Sequence, residues 1–168
     1  MVALTIMARP LRAEEGLIFW EGQEMKTSKL TAKIGVVMQN QDKFFSGRTV
    51  LQELILWRGK TPDDVRRVMK MVGLLDVPLL EEPTELSDGQ KKRLAMASQL
   101  MRDPLPKLFL LDEPFGGVHR ASREQILRLS SKTKNLFSVV IVTHEPGNLV
   151  EYADRLVQIA QREAIEVP

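Results

Sequence analysis

Apolar residues in this chain form short continuous runs that are separated by segments with helical spacing. The runs at 34–38, 107–112 and 137–143 predict buried strands, because short apolar runs bounded by polar turns are typical of strands in a covered sheet. The run at 16–20, followed by Glu21-Gly22, predicts a further strand and its turn. The C-terminal segment 155–167 predicts a pair of strands.

Amphipathic segments lie between these strands and predict helices at 49–57, from Pro62 to a stop at Gly73, at 87–100, at 121–132 and, more briefly, at 149–153. The apolar stripe of the first helix consists of Leu51, Leu54 and Ile55, and that of the second consists of Val65, Val68, Met69 and Val72. The methionines at 69, 71, 96 and 101 also fall at core-like positions. Apolar strands that alternate with helices predict an α/β fold with a parallel sheet covered on both faces.

Composition narrows the range of functions. The 168 residues suit one domain with a real core, and 24 Lys and Arg against 22 Asp and Glu leave a net charge of only +2, so we expect no nucleic-acid partner. The absence of cysteine excludes disulfides and thiol chemistry, and two histidines do not favour a zinc site. No apolar run is long enough to span a membrane, so we expect a soluble chain that can dock on a membrane partner.

Polar residues follow the three central strands where open α/β sheets bind ligands. "KLFLLDEP" ends a strand in Asp112 and Glu113: the first carboxylate can hold Mg²⁺ through water, and the second can polarise an attacking water. Gln39 and His144 follow the other two strands, and an imidazole there can hydrogen-bond a terminal phosphate. Taken singly, the Asp112-Glu113 pair is equally consistent with solvated acids at a strand end, and Gln39 fits a polar residue that leaves a strand better than it fits a ligand. His144 is also consistent with a capping or exposed histidine.

"LSDGQ" places Ser87 and Gly89 at the start of a helix, whose free N–H groups and partial positive charge can bind a phosphate. The alternative is an ordinary capped helix, because Ser and Asp are favoured N-caps. The basic run 91–93 on this helix predicts a solvated face. Residues 59–61, Gly-Lys-Thr, predict a helix stop followed by a helix start and no phosphate loop.

These residues occur in the order Gln39, Ser87, Asp112-Glu113, His144, and the combination is far more specific than any one of them. On it, the chain resembles the nucleotide-binding domain of ABC ATPases. "IGVVMQNQDKFFSGRTVLQEL" is similar to the Q-loop region, "LSDGQKKRLAMASQLMRDP" to the signature motif, "LFLLDEP" to the Walker B strand and "VIVTHE" to the histidine switch.

The resemblance extends from about residue 4 to the C-terminus and implies a single domain over 1–168. It implies a P-loop NTPase-like α/β core at 1–39 and 87–168, with a helical subdomain at about 40–86. It also implies a second ABC ATPase subunit and a membrane transport subunit as partners. The chain would then be peripheral to the cytoplasmic side of a membrane, or in a plastid stroma, since it looks most like energy-coupling subunits and their plastid relatives.

The resemblance also implies roles for the candidate residues, with ATP and Mg²⁺ in a composite site between two subunits. Asp112 and Gln39 would support the metal, Glu113 would be the catalytic base, and His144 would contact the γ-phosphate. Gln39 would also sense the transporter. Residues 87, 89 and 90 (Ser87, Gly89 and Gln90) would bind the nucleotide held by the partner subunit.

Departures from the family pattern limit these expectations. No G-x-x-x-x-G-K-[ST] loop precedes Gln39, so we expect an incomplete core that lacks the first strands and the phosphate loop and begins just after that loop. Asp88 replaces the second glycine of the signature, and His119 replaces the aspartate that follows Walker B. Trp20 comes too late in the chain to stack on adenine and is expected to pack.

Three functions stay open at this point. The chain is an ATPase subunit that powers transport, a non-hydrolysing partner that donates Ser87 and Gly89 to another subunit's ATP, or a binding module that has lost the chemistry. Intact Glu113 and His144 favour the first. We expect the isolated chain to be inactive, because the loop that supplies most of the triphosphate binding is missing.

Overall fold

The computed structural model describes residues 18–41, 44–57, 59–115, 120–132, 136–145, 147–160 and 163–167. The predictions for residues 16–17 and for His119 lie outside these ranges. Within them the strands are β1 (Phe19–Trp20), β2 (Gln23–Glu24), β3 (Ile34–Val37), β4 (Leu108–Asp112), β5 (Ser138–Val142), β6 (Leu156–Ala160) and β7 (Glu163–Val167). The helices are α1 (Thr27–Leu30), α2 (Val50–Leu54), α3 (Pro62–Val72), α4 (Asp88–Leu100) and α5 (Arg120–Lys132), with 3-10 turns at Pro83–Glu85 and Gly147–Glu151.

Strands β3, β4 and β5 form a parallel sheet in that order, which confirms the predicted sheet. The register places Val37 opposite Leu111 and Asp112 opposite Val142. The three strands therefore end at one edge, which we call the carboxyl edge, and the residues that follow them leave the sheet side by side. Strands β1–β2 and β6–β7 form two antiparallel hairpins, the second of which is the predicted C-terminal pair.

Alternation along the strands divides the core between the two faces of the sheet. The larger cluster joins Val37, Phe109 and Leu111 to the helices, and the rings of Phe109 and Phe137 lie 4.3 Å apart. The smaller cluster joins Leu30, Ile34 and Leu110, with Trp20 packed against it as predicted. Val140 points to this second face and is 44% exposed, so the expected cover is incomplete over β5.

Local signals set the limits of α3 as predicted. Thr61 and Asp64 form a reciprocal capping box at its start, Pro62 occupies the first turn, and Gly73 ends it with φ +70°. Its four stripe residues are all buried. Gly59 has φ +78°, so the Gly-Lys-Thr at 59–61 is a turn and a helix cap, as expected for a segment that is no phosphate loop.

Three predictions about side-chain burial were wrong. Ile55 lies beyond the end of α2 and is 45% exposed, whereas Glu53 on the same helix is buried. Met71 is exposed, although the other three methionines are buried. Lys92 and Arg93 are only 4% and 8% exposed and form no solvated face. Helix α4 packs against the sheet and three helices, so its basic side chains reach carbonyl groups instead of water.

Two basic side chains show the direction of helix α4 relative to the strands of the sheet. Near its start, Lys92 Nζ donates to the carbonyl of Glu113 at 3.0 Å, at the carboxyl edge. Beyond its end, Arg102 donates to the carbonyls of Ile34 at 2.7 Å and Thr31 at 3.0 Å, at the opposite edge. Helix α4 therefore runs antiparallel to the sheet and begins on the side of Asp112 and Glu113. Among the described helices, none combines the length and the hydrophobicity needed to cross a bilayer.

Candidate functional site

Glu113 and His144 meet at the carboxyl edge, where the strand ends bring together residues 31 positions apart. Glu113 Oε1 lies 2.8 Å from His144 Nδ1 and accepts a hydrogen bond from the His144 backbone N–H at 2.9 Å. Glu113 Oε2 accepts from the Thr143 hydroxyl at 3.0 Å. Both carboxylate oxygens are thus held by residues that follow β5, while the imidazole of His144 stays 73% exposed and open to a ligand.

The charges of this pair reinforce each other. Burial acts to raise the pKa of Glu113, but hydrogen bonds from His144 and Thr143 outweigh it, so the pKa lies below its ordinary value. The hydrogen bond and the charge of Glu113 raise the pKa of His144 above its ordinary value. The ionised carboxylate and the imidazolium therefore coexist over a wider pH range than two isolated groups would.

We expect an NMR titration of the His144 ring to give a pKa above 6.5, its ordinary value, and Glu113→Gln to return it towards 6.5. Because the pKa of His144 is raised in the folded state, the protonated imidazole stabilises the fold. This contribution is fully present below pH 6.5 and is lost as the pH rises through the folded-state pKa. Because the pKa of Glu113 is lowered in the folded state, the ionised carboxylate stabilises the fold above pH 4.5. This contribution is lost as the pH falls through the folded-state pKa of Glu113.

The matched control for this titration is Glu145→Gln, because Glu145 lies 3.7 Å from His144 Nε2 and is a weaker partner than Glu113. That variant should lower the pKa of His144 less than Glu113→Gln does. A wild-type pKa at or below 6.5 would show that the pair is not formed in solution.

Asp112 occupies the last position of β4 and is buried. Burial raises its pKa, and the neighbouring charge of Glu113 raises it further. Among the described residues, none donates a hydrogen bond to its carboxylate. The oxygens of Asp112 are therefore open to a hard cation, whose positive charge would offset both effects.

Gln39 lies two residues beyond β3, is exposed, and leaves the sheet at the same edge as Asp112. The predicted set Gln39, Asp112, Glu113 and His144 is thus brought to one edge. Sequence reasoning missed Gln41, which is buried and whose side-chain amide donates to the carbonyl of Met38. No pattern marked Gln41 out from the neighbouring amides of "MQNQ".

Ser87, Gly89 and Gln90 form the start of α4, one turn before Lys92. The Ser87 hydroxyl accepts from the Gln90 N–H at 3.4 Å, and Gln90 Oε1 accepts from the Ser87 N–H at 2.9 Å. These two hydrogen bonds form a reciprocal capping box at the start of α4. Within the described part of the chain, no hydrogen bond connects these three residues with Asp112, Glu113 or His144.

Glu53 is a buried carboxylate on α2 that the sequence did not reveal. Glu53 Oε2 accepts from the backbone N–H groups of Ser46 and Gly47, each at 2.9 Å, and Glu53 Oε1 accepts from the Ser98 hydroxyl at 2.9 Å. Glu53 thereby ties the segment that follows Gln39 to helix α4. An acid inside an amphipathic helix is normally assigned to solvent, so the sequence carried no signal for it.

The parallel sheet carries an Asp-Glu pair and a histidine at its carboxyl edge. Its architecture is that of a P-loop NTPase-like α/β domain. A sequence profile of the ABC transporter family matches residues 2–116. The chain therefore belongs to the ABC transporter family, as the motifs predicted, and its fold is that of the ABC ATPase domain.

Known relatives agree with this assignment. The energy-coupling factor transporter ATP-binding protein EcfA2 of Acetivibrio thermocellus is 30% identical over 90% of this chain and 57% of its own length. The chloroplastic ABC transporter I family member 11 of Arabidopsis thaliana is 31% identical over 74% of this chain and 48% of its own length. The chain thus spans about half the length of these relatives.

Among solved structures, cbiO1 from Clostridium perfringens, described as part of the ABC transporter complex cbiONQ, matches with a TM-score of 0.80. The match has 25% identity and covers 98% of this chain and 70% of cbiO1. A nucleotide-free ATP-binding cassette from an ABC transporter matches with a TM-score of 0.79 at 20% identity and supports the fold alone.

Proposed function

We propose that this chain is an ATP-binding subunit of an ABC transporter, and that it hydrolyses ATP in a site shared with a second ABC ATPase subunit. The observation that carries this proposal is the Glu113 carboxylate, held by Thr143 and His144 next to the buried carboxylate of Asp112. This arrangement places a base, a metal-binding carboxylate and an imidazole that can gain or lose a proton at the edge where α/β sheets bind ligands.

Asp112 and Gln39 are the residues that would support Mg²⁺. The carboxylate of Asp112 is buried and accepts no hydrogen bond from the described residues, which fits a hard cation, and Gln39 offers an amide oxygen at the same edge. Among the described residues, no group of three acidic or histidine side chains forms a closed metal cage. Mg²⁺ usually takes one or two carboxylates together with water and substrate phosphates.

Glu113 would accept a proton from the attacking water, and His144 would hydrogen-bond the γ-phosphate of ATP. Glu113 is ionised at neutral pH, as a base requires, since the ordinary pKa of a glutamate already lies well below 7. The His144 side chain is largely exposed, and its Nδ1 is engaged by Glu113, which fixes the orientation of the ring. Mg²⁺, when bound, would neutralise charge that develops on the phosphates.

Ser87, Gly89 and Gln90 would bind the ATP held by the partner subunit. Ser87 uses an oxygen lone pair for its cap, which leaves the O–H as a donor for a phosphate oxygen. The cap fixes the first turn of α4, and its N–H groups and dipole favour an anion. Gln90 contributes by holding this cap.

The wider organisation is proposed on the same basis. The core would comprise 1–39 and 87–168, with the helical subdomain at about 40–86. A membrane transport subunit would bind the chain at the cytoplasmic side of a membrane, since the relatives are named as transporter ATP-binding proteins. One relative is named as chloroplastic, so the plastid stroma is the alternative location that we propose.

We expect the isolated 168-residue chain to show no saturable ATP binding at micromolar concentrations, measured by titration calorimetry. No G-x-x-x-x-G-K-[ST] loop is present in this sequence, and the backbone nest and lysine of that loop supply most triphosphate contacts. A mixture with a complete ABC ATPase subunit should bind and hydrolyse ATP. Saturable low-micromolar binding by this chain alone would contradict the expectation.

The capped start of α4, which can bind a phosphate without the chemistry of Glu113, favours a second candidate function, that of a non-hydrolysing partner. ATP hydrolysis by the mixture of this chain with a complete ABC ATPase subunit distinguishes the two candidate functions. Hydrolysis that depends on both Ser87 and Glu113 of this chain supports the ATPase subunit. Hydrolysis that is lost in Ser87→Ala but survives Glu113→Gln supports a partner that only donates its signature helix. Hydrolysis unaffected by either variant leaves a binding module without chemistry.

A further inference from the structure

Every polar atom of Glu113 has a partner, and one of these partners comes from a different element than the rest. The backbone N–H donates to the carbonyl of Val142 at 2.9 Å, and the two carboxylate oxygens accept from Thr143 and His144. All three contacts come from β5 and its continuation. The backbone carbonyl of Glu113, in contrast, accepts from Lys92 Nζ at 3.0 Å, and Lys92 lies on helix α4.

The backbone of Glu113 requires such support, because it has φ +44°, in the left-handed region. A residue with a Cβ pays roughly 1–2 kcal/mol for this conformation. Glu113 also precedes Pro114, and a residue before proline is ordinarily pushed towards extended backbone. Strained backbone of this kind persists only where the surrounding contacts hold it.

Lys92 is suited to hold it. The side chain is buried, and burial lowers its pKa, an effect that the charges of Asp88 and Glu113 oppose. A buried ammonium group is costly unless it is hydrogen-bonded, so the contact with the Glu113 carbonyl is the kind of interaction that retains a lysine there. The contact joins the helix that begins at Ser87 to the peptide that carries the candidate base.

We propose that Lys92 is a positioning residue for ATP hydrolysis. By binding the Glu113 carbonyl, it keeps the Glu113 backbone left-handed, so that the carboxylate faces Thr143 and His144. The same bond makes the position of Glu113 depend on the position of α4, whose first residues are the proposed contact with the partner's ATP. This inference rests on the proposed catalytic role of Glu113.

The direct test is the backbone conformation of Glu113 in Lys92→Met, which keeps the length of the side chain and removes its donor. The intraresidue NOE between the amide and α protons, which is strongest at positive φ, and the three-bond coupling between the α proton and the preceding carbonyl carbon report the sign of φ in the isotopically labelled full chain. We expect Lys92→Met to move both signals away from left-handed values. We expect Lys92→Arg, which retains a donor, to restore them.

The matched control is Lys91→Met, which removes a neighbouring lysine on the same helix and should leave the Glu113 signals unchanged. Left-handed Glu113 signals in folded Lys92→Met would overturn the proposal. If that variant does not fold, Lys92→Gln takes its place, because its shorter amide cannot span the same distance. An equal change in Lys91→Met would also overturn it, since the effect would then belong to the helix as a whole.

In the mixture with a complete ABC ATPase subunit, Lys92→Met should lower kcat by roughly 10- to 100-fold through misplacement of the base, with KM for ATP little changed. Lys92→Arg should recover most of kcat. The proposed function fails separately: full turnover by Glu113→Gln would remove the role of the base while the NMR effect of Lys92 stays measurable. Normal kcat in Lys92→Met, with Glu113→Gln inactive, would overturn the positioning role alone.

Discussion

Glu113→Gln is expected to lower ATP hydrolysis by the assembled subunits by about 100- to 10,000-fold, the range that general base catalysis contributes. The amide keeps the shape of the side chain and an oxygen that can accept from Thr143 or His144, but it cannot take a proton from water. The variant should therefore bind ATP as the wild type does and fail at the chemical step. Phosphate release and ATP binding, measured on the same mixture, distinguish the two.

The control for this variant is Glu145→Gln, which removes a carboxylate that is exposed and lies near the same imidazole. We expect that variant to change turnover by a few-fold at most, because Glu145 makes no hydrogen bond to the candidate base. Equal losses in the two variants would assign the effect to net charge near His144. Full activity in Glu113→Gln would place the base elsewhere.

Glu53→Ala is expected to lower the free energy of unfolding by about 3 kcal/mol or more, since each buried donor left without a partner costs roughly 1–3 kcal/mol. In this variant the N–H groups of Ser46 and Gly47 and the hydroxyl of Ser98 lose the carboxylate that accepts their hydrogen bonds. The surroundings have little room to adjust: a Cβ at Gly47 would lie 2.3 Å from the Glu53 nitrogen, so the two backbones are already in close contact. Urea unfolding followed by circular dichroism gives the change.

Two variants bracket the Glu53 measurement. Glu53→Gln retains one acceptor oxygen and should lose less stability than Glu53→Ala. Glu85→Ala removes an exposed glutamate near the start of α4 and should change stability by less than about 0.5 kcal/mol. A loss below about 1 kcal/mol in Glu53→Ala would mean that water replaces the carboxylate, and that the link to α4 is weak.

The types of residue at the carboxyl edge could be predicted from the sequence, but their hydrogen-bond partners and backbone conformation could not. The motifs predicted that Gln39, Asp112, Glu113 and His144 follow buried strands, and parallel strands bring such residues to one edge. Two features depend on the assembled sheet: the pairing of Glu113 with His144, and the left-handed backbone at Glu113. Both need β5 next to β4, an order that no local pattern encodes.

The sequence by itself determined the elements whose signals are local. Apolar runs located β3, β4 and β5, the Thr61 capping box and Gly73 set the limits of α3, and Ser87 started α4, because these signals act between residues a few positions apart. The order of the polar motifs determined the family in the same way.

Only the tertiary structure decided which charged side chains are buried. Lys92, Arg93 and Glu53 read as solvent-facing in a helical pattern, because burial of a charge is costly unless a partner is present. Each has a partner 20 to 45 residues away: Lys92 has the carbonyl of Glu113, Arg93 has the carbonyl of Gly73, and Glu53 has the Ser98 hydroxyl. Such contacts exist only once α4 has packed against the sheet and its neighbouring helices, and periodicity along the chain holds no record of them.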